Sequence, residues 1–155
     1  MAVAFYLGID CGASRQTIDS ITSHFRGLQL QLPEIGGVEY EVSAGTSGGH
    51  CCVAVMPVGM GYGLPGYCRP ELMAHEGAIK EALYRHLSLV GGFRRAIFCA
   101  DPCDCIFDSL EEFMDIDYPG MIYADAEFPT QPTQQKVNSF SRGYSIVLPH
   151  DDRVA

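Results

Sequence analysis

The first part of the chain combines an apolar run with a helical repeat. Residues 3–9 (VAFYLGI) are almost continuously apolar, which predicts a central β-strand. Ser14 is well suited to cap a helix, because its hydroxyl can accept a hydrogen bond from a free backbone amide. The apolar residues that follow recur at the spacing of one helix face: Ile18, Ile21, Phe25 and Leu28. The pattern therefore predicts a strand followed by an amphipathic helix.

The middle of the chain predicts a pair of strands and a long helix. Residues 38–42 (VEYEV) alternate like a half-exposed strand, and residues 51–58 (CCVAVMPV) resemble a buried one. The AGTSGGH segment between them, residues 44–50, is predicted to be a flexible hairpin loop. Pro70 can open a helix that continues to about Leu89. Its inward positions are Leu72, Ile79, Leu83 and Leu87.

The last third predicts three short strands, one short helix and a loop. The strands cover residues 95–100, 121–126 and 144–148, and an acidic helix covers about 108–116. Residues 128–143, rich in Pro, Gln and Ser, are predicted to form a mobile loop. This order of elements predicts an α+β fold. We expect one layered domain over residues 1–155, with a mixed, mostly antiparallel sheet and about three helices packed on it.

The composition agrees with one globular domain. The chain has 155 residues, of which 47% are hydrophobic and 19% charged, and this length can bury a substantial core. Met1 is followed by no basic region and by a short apolar run only, so we expect neither a secretory signal nor a membrane span. The seven cysteines are an odd number, which favours reduced thiols over a disulfide framework. We therefore expect a cytoplasmic protein.

The net charge of −9 comes from one stretch of the sequence. Residues 96–135 contain nine carboxylates and no Lys or Arg, whereas the rest of the chain has ten acids and ten bases. The nine acids are Asp101, Asp104, Asp108, Glu111, Glu112, Asp115, Asp117, Asp125 and Glu127. Such a concentration of charge attracts cationic partners and repels nucleic acid.

The predicted acidic helix would carry its carboxylates on one side. Four acids fall within an arc of about 100°, opposite three apolar residues. The acids are Asp108, Glu111, Glu112 and Asp115, and the apolar residues are Leu110, Phe113 and Met114. Like charges at this spacing cost roughly 0.2–0.5 kcal/mol per pair. In the long helix, by contrast, Glu76 faces Lys80 and Glu81 faces Arg85.

Two interpretations of the acidic stretch are open. It can be a solvated face that keeps the protein soluble, or it can be a surface that binds a cationic partner. The complete absence of bases over forty residues favours the second. The partner-binding residues that we predict are Asp101, Asp104, Asp108, Glu111, Glu112, Asp115 and Asp117.

The motifs that suggest chemistry are weak. Gly8, Asp10 and Gly12 resemble the first phosphate loop of sugar-kinase and actin-like ATPases, but that family needs about twice this length. The glycines at 61, 63 and 66 match G-x-G-x-x-G. Pro65 and Pro70 interrupt the helix that should follow, so a turn-rich loop is the better interpretation.

A zinc site is a further alternative. Cys99, Cys103 and Cys105 are close in sequence, and His50 could complete a tetrahedron, but a structural zinc site normally has two close ligand pairs. We therefore predict no catalytic residue, no cofactor and no metal. A small nucleotide-binding or hydrolytic enzyme and a zinc protein remain the alternatives to a binding module.

The layout of the last two thirds of the chain resembles the immunity proteins of bacterial polymorphic-toxin and type VI secretion systems. The segments that carry the resemblance are residues 91–104 (GGFRRAIFCADPCD), 108–125 (DSLEEFMDIDYPGMIYAD) and 140–149 (FSRGYSIVLP). The resemblance implies a cytosolic antitoxin that binds a basic toxin and contacts neither nucleic acid nor membrane. Within this group, the chain looks most like those paired with restriction-endonuclease-like nuclease toxins. Its oligomeric state is left open.

Overall fold

A computed structural model describes residues 3–47, 49–62, 69–102, 120–127 and 137–148. The helices in these ranges are α1 (Arg15–Arg26), α2 (Pro70–Met73) and α3 (Glu76–Leu87), with a 3-10 turn at Asp125–Glu127. The strands are β1 (Val3–Asp10), β2 (Gln29–Leu32), β3 (Gly36–Ser47), β4 (His50–Pro57), β5 (Gly61–Tyr62), β6 (Arg95–Pro102), β7 (Ile122–Ala124), β8 (Val137–Ser141) and β9 (Tyr144–Val147). The fold is α+β, as predicted.

The strands form one sheet in the order β2-β3-β4-β1-β6-β7-β9-β8, and β5 also pairs with β1. Every strand pair among the described residues is antiparallel. The central strand β1 pairs with β6 along its whole length and with β4 over residues 7–10. The end of β1 is therefore enclosed between two neighbours. No helix in the described ranges has both the length and the apolar character needed to cross a membrane.

The sheet has a different buried cluster on each face. Leu7 and Ile9 of β1 pack with α1 and α3, in a cluster that includes Phe25 and Leu83. Tyr6 directly precedes Leu7 and belongs to a second cluster, with Cys52, Ala54, Ile97, Cys99, Met121, Tyr123 and Val147. Alternate residues of a strand point to opposite faces. The helices therefore cover one face, and the even-numbered residues of β1 face the other.

The predicted first strand and helix are confirmed. Ser14 caps α1, since its Oγ accepts a hydrogen bond of 3.2 Å from the backbone amide of Thr17. Ile21 and Phe25 are fully buried. Removing such a side chain from water contributes about 1.5–3 kcal/mol to stability. The burial of these two side chains therefore holds α1 against the sheet.

The hairpin between β3 and β4 is much tighter than predicted. The expected flexible loop at 44–50 belongs mostly to the two strands, which pair from Tyr40↔Pro57 to Ser47↔His50. Backbone pairing across the hairpin outweighs the low strand propensity of the glycines and serines. Strand β2 was not predicted, although its QLQL sequence alternates exposed and buried positions. Its signal is hidden because Leu28 continues the helical repeat up to its start.

The predicted helix over residues 70–89 is two helices. The chain turns at Ala74 and His75, where the His75 amide donates to the carbonyl of Leu72 at 2.9 Å. The four inward leucine and isoleucine positions are nevertheless all fully buried, as predicted. The interruption is short, and the sequence spacing of the four buried residues fits a single helix face as well, which is why periodicity did not reveal it.

The prediction of a loop over residues 128–143 is wrong from residue 137 onward. Val137–Ser141 forms β8, which pairs with β9, and the two-residue turn between them includes Gly143 with a φ of +83°. The alternation that marks strands is weak in β8, because its first three residues are all exposed. Residues 128–136 and the predicted acidic helix at 108–116 lie outside the described residues.

Tyr84 joins β6 and β7 where these strands stop pairing. The two strands pair only at Arg95↔Tyr123 and Ala96↔Ile122. Beyond this point, the Tyr84 hydroxyl accepts a hydrogen bond from the Phe98 amide at 3.2 Å and donates one to the Gly120 carbonyl at 2.8 Å. Burial raises the pKa of Tyr84 to about 12, so the hydroxyl keeps its proton. One side chain of α3 thus bridges the two strands at a position where they do not hydrogen-bond to each other directly.

We predict that Tyr84→Phe destabilises the protein by about 1–3 kcal/mol, because two backbone groups lose their partner. Tyr40→Phe is the matched control. The Tyr40 hydroxyl is buried and has no hydrogen-bond partner among the described residues, so its removal should be neutral or stabilising. Urea unfolding of the two variants measures the difference, and equal effects would contradict the bridging role of Tyr84.

Candidate functional site

Three strand ends bring Asp10, His50 and Arg95 to one place on the sheet. Asp10 ends β1, and it is opposite Cys52 of β4 and Arg95 of β6. His50 precedes Cys52 by two residues, so its side chain lies on the same face. The face is the one opposite to the helices, because Cys52 belongs to the second buried cluster. Residues separated by 40 and 85 positions in sequence thereby become neighbours.

The Asp10 carboxylate is the centre of this cluster and is 1% exposed. Its Oδ1 accepts the Gly12 amide at 2.8 Å, and His50 Nδ1 lies 3.1 Å from Oδ1 and 3.0 Å from Oδ2. Arg95 approaches Oδ2 with Nη2 at 3.2 Å and Nε at 3.4 Å. A buried carboxylate is tolerated only when it is paired and hydrogen-bonded, and Asp10 meets this condition.

The environment keeps Asp10 ionised. Burial by itself raises the pKa of Asp10, but the hydrogen bonds from His50 and Gly12, together with the charge of His50 and the hydrogen bond from Arg95, outweigh it and leave the pKa below its ordinary value. An ionised carboxylate can only accept hydrogen bonds, so His50 carries a proton on Nδ1. In the neutral imidazole, Nε2 is then the nitrogen with a free lone pair.

Arg94 covers the His50 ring and extends the cluster to Glu127. Its Nη1 lies 3.0 Å from His50 Nδ1 and 3.2 Å from Nε2. The two ring nitrogens point in different directions, so an atom this close to both rests against the ring and is not on the in-plane axis of Nε2. The Arg94 Nη2 donates to Glu127 Oε2 at 2.9 Å. This bond raises the pKa of Arg94 and lowers that of Glu127.

Gly12 is needed for the close approach of Arg94. The φ of Gly12 is +61°, a conformation that favours glycine. A Cβ at this position would lie 2.9 Å from Arg94 Cδ. Gly12, which the sequence suggested as part of a phosphate loop, therefore has two structural roles. It leaves space for the Arg94 side chain, and its amide donates a hydrogen bond to the Asp10 carboxylate.

The structure gives no support to cysteine chemistry at this site. Cys11 follows Asp10 directly, and its amide donates to the Cys51 carbonyl at 2.8 Å. Burial, with smaller contributions from Cys52, Asp10 and Cys51, raises the pKa of Cys11 to about 12, so its thiol is protonated at neutral pH. In the described ranges, no group of three or more His, Cys, Asp and Glu side chains could hold a metal ion.

The alternative sites proposed from the sequence are only partly described. Cys99 is buried in β6, opposite Tyr6 of β1, whereas residues 103 and 105 lie outside the described residues. Gly61 and Tyr62 form β5, but residues 63–66, the remainder of the G-x-G-x-x-G loop, lie outside them as well. A zinc site and a nucleotide loop thus gain no geometric support.

Of the seven predicted partner-binding residues, the structure describes one. Asp101 lies in β6, where it pairs with Ala4 of β1. Asp104, Asp108, Glu111, Glu112, Asp115 and Asp117 lie outside the described residues. The two remaining acids of the stretch are described, and both have partners. Asp125 Oδ1 accepts the Ser145 hydroxyl at 2.6 Å, and Glu127 binds Arg94.

The sequence did not predict the site around Asp10. In the sequence, Asp10 stands out only as part of a glycine-rich loop, and His50 only as a possible zinc ligand. One signal was present, because a charged residue directly after an apolar strand must be paired or exposed. The partners, however, follow from the register of β1 with β4 and β6, which a single sequence does not reveal.

Comparison with protein-family models, with curated proteins and with solved structures finds no match to this chain. The functional argument therefore depends on the residues themselves.

We predict that Asp10→Asn destabilises the protein at neutral pH by about 1–3 kcal/mol, because the partly buried cationic groups around it lose the carboxylate that binds them. The native pKa of Asp10 is below the ordinary value of 3.8. Its contribution is therefore complete above about pH 3.8 and is lost as the pH falls through the native pKa. The difference between wild type and variant should narrow below that pH.

Urea unfolding from pH 7 to pH 3 measures this difference, with Asp19→Asn on the exposed side of α1 as the control. A cost that is the same at every pH would show that the charge of Asp10 is not what stabilises the fold.

Proposed function

We propose that this protein binds a basic protein partner through an acidic surface formed by Asp101, Asp104, Asp108, Glu111, Glu112, Asp115 and Asp117. The observation that carries the proposal is the presence of nine carboxylates and no base between residues 96 and 135. Charge of one sign without compensation costs stability unless a partner of opposite sign offsets it. The rest of the chain is balanced, so this excess is local.

The bonding of the two described acids at the end of the stretch supports this choice of residues. Asp125 and Glu127 already have internal partners in Ser145 and Arg94. Their charge is used within the protein, whereas the proposal assigns the other seven to the partner. The stretch is also attached to the sheet at both ends, since β6 includes Asp101 and β7 precedes Asp125. A partner that docks here would meet a surface connected to neighbouring strands.

The partner that we propose is a bacterial toxin, and the protein would be the cytoplasmic immunity protein that neutralises it. The layout of segments 91–104, 108–125 and 140–149 supports this class. A nuclease is the toxin whose surface fits best, because its substrate cleft must attract phosphates. Carboxylates placed in that cleft would occupy the positions of the phosphate groups and exclude the nucleic acid.

This mode of binding has a kinetic consequence. Opposite charges accelerate the encounter of two proteins, and salt screens that attraction over a distance of about 8–10 Å at moderate ionic strength. The association rate constant should therefore be high at low salt and fall steeply as salt is added. A complex held mainly by apolar contacts would lack this dependence.

We predict that Glu111→Lys combined with Glu112→Lys weakens binding by two orders of magnitude or more, because two attractions become repulsions. The matched control is Glu39→Lys combined with Glu41→Lys, which makes the same change in net charge at exposed positions of β3. The tagged protein first captures its partner from a lysate of the source organism. Affinity and salt dependence are then measured with the purified partner.

The comparison of the two double variants decides the location of the interface. A loss confined to the 111/112 variant supports the acidic surface. Equal losses in both variants would mean that only the net charge matters, and unchanged affinity and salt dependence in the 111/112 variant would reject the surface.

A further inference from the structure

His50 has the arrangement of a proton-transfer residue. Its Nδ1 is held by the buried Asp10 carboxylate at 3.0–3.1 Å, and its side chain is 37% exposed. A carboxylate behind Nδ1 fixes the tautomer and orientation of an imidazole and stabilises the cation that forms when Nε2 takes up a proton. Among the described residues, the group found within hydrogen-bond distance of Nε2 is the Arg94 Nη1, which rests against the ring. The partial exposure of the His50 side chain leaves the ring accessible to a small molecule.

Arg94 supplies a positive charge beside this lone pair. Its guanidinium lies against the His50 ring, and its side chain is 34% exposed. A cation fixed next to a general base can stabilise negative charge that develops on a reacting carbonyl oxygen. Gly12 permits this placement, since any larger residue would collide with the arginine stem.

We infer that Asp10, His50 and Arg94 form a hydrolytic site for an uncharged carboxylic ester. In this site, His50 and Arg94 are the catalytic residues, and Asp10 positions His50. The inference uses residues different from those of the acidic surface and does not depend on the proposed partner.

The charges around the site favour a neutral ester over a phosphate ester. The Glu127 carboxylate already lies 2.9 Å from Arg94 Nη2, and it would repel a phosphate group. The two arginines are balanced by Asp10 and Glu127, so the site has no net excess of positive charge with which to bind an anion. An ester carbonyl becomes negative only during the reaction, when stabilisation by Arg94 takes effect.

The reaction needs only water as its second substrate. His50 Nε2 accepts a proton from a water molecule while the water oxygen bonds to the carbonyl carbon, and the carbonyl π electrons move to the oxygen beside Arg94. The tetrahedral intermediate then collapses, the bond to the alcohol oxygen breaks, and His50 returns its proton to that oxygen. The products are a carboxylic acid and an alcohol.

Hydrolysis of p-nitrophenyl acetate by the full chain tests the inference. We expect His50→Ala to lower kcat/KM by about 100-fold, the usual contribution of a positioned general base. Added imidazole should restore part of the lost rate, which a purely structural role of His50 would not allow. Arg94→Met should also lower kcat/KM by about 100-fold, because it removes the charge beside the developing oxyanion.

The matched control is His75→Ala at the turn between α2 and α3, which should keep the wild-type rate. Circular dichroism establishes that each variant is folded. If His50→Ala does not fold, the rate of Arg94→Met decides, because the Arg94 side chain is partly exposed and its replacement should disturb the fold less. Equal rates for wild type and either site variant, or an equal loss in the His75 variant, would overturn the inference.

Discussion

An ionised carboxylate in the interior is the constraint on which this structure depends. Asp10 ends the central strand at a position where water cannot solvate it, so the protein must supply its hydrogen bonds. It does so with the Gly12 amide, the His50 imidazole and the Arg95 guanidinium. These groups come from the loop after β1 and from the first residues of two other strands. Only one register of β1 with β4 and β6 brings them together.

The Asp10 carboxylate lies on the face of the sheet that the helices do not cover. The helices fill one face with aliphatic and aromatic side chains, which leaves no room there for a solvated group. Asp10, His50 and Arg95 lie at the end of the opposite face, where part of the cluster reaches solvent. The packing against the helices and the charged cluster therefore lie on different sides of the same strands. Leu7 and Ile9 of β1 belong to the first side, and Asp10 belongs to the second.

The sequence predicted those parts of the fold that depend on local periodicity. The strand at 3–9, the cap at Ser14 and the inward positions of α3 follow from patterns that neighbouring residues share. The tight hairpin at Ser47↔His50 could not be predicted in this way, because its glycines and serines are strand residues only by virtue of their partners. The same holds for the site. Asp10 is visible in the sequence as an acid after an apolar run, but pairing distant in sequence selects His50 and Arg95 as its neighbours.

The Tyr84 bridge makes the sheet and α3 depend on each other at a specific point. Because α3 supplies the hydrogen bonds where β6 and β7 stop pairing, a displacement of this helix would leave the Phe98 amide and the Gly120 carbonyl without this partner. The helix is therefore coupled to the two strands by a directional polar contact as well as by apolar packing. A polar contact of this kind fixes the position of the helix along the strands, which apolar packing alone does not do.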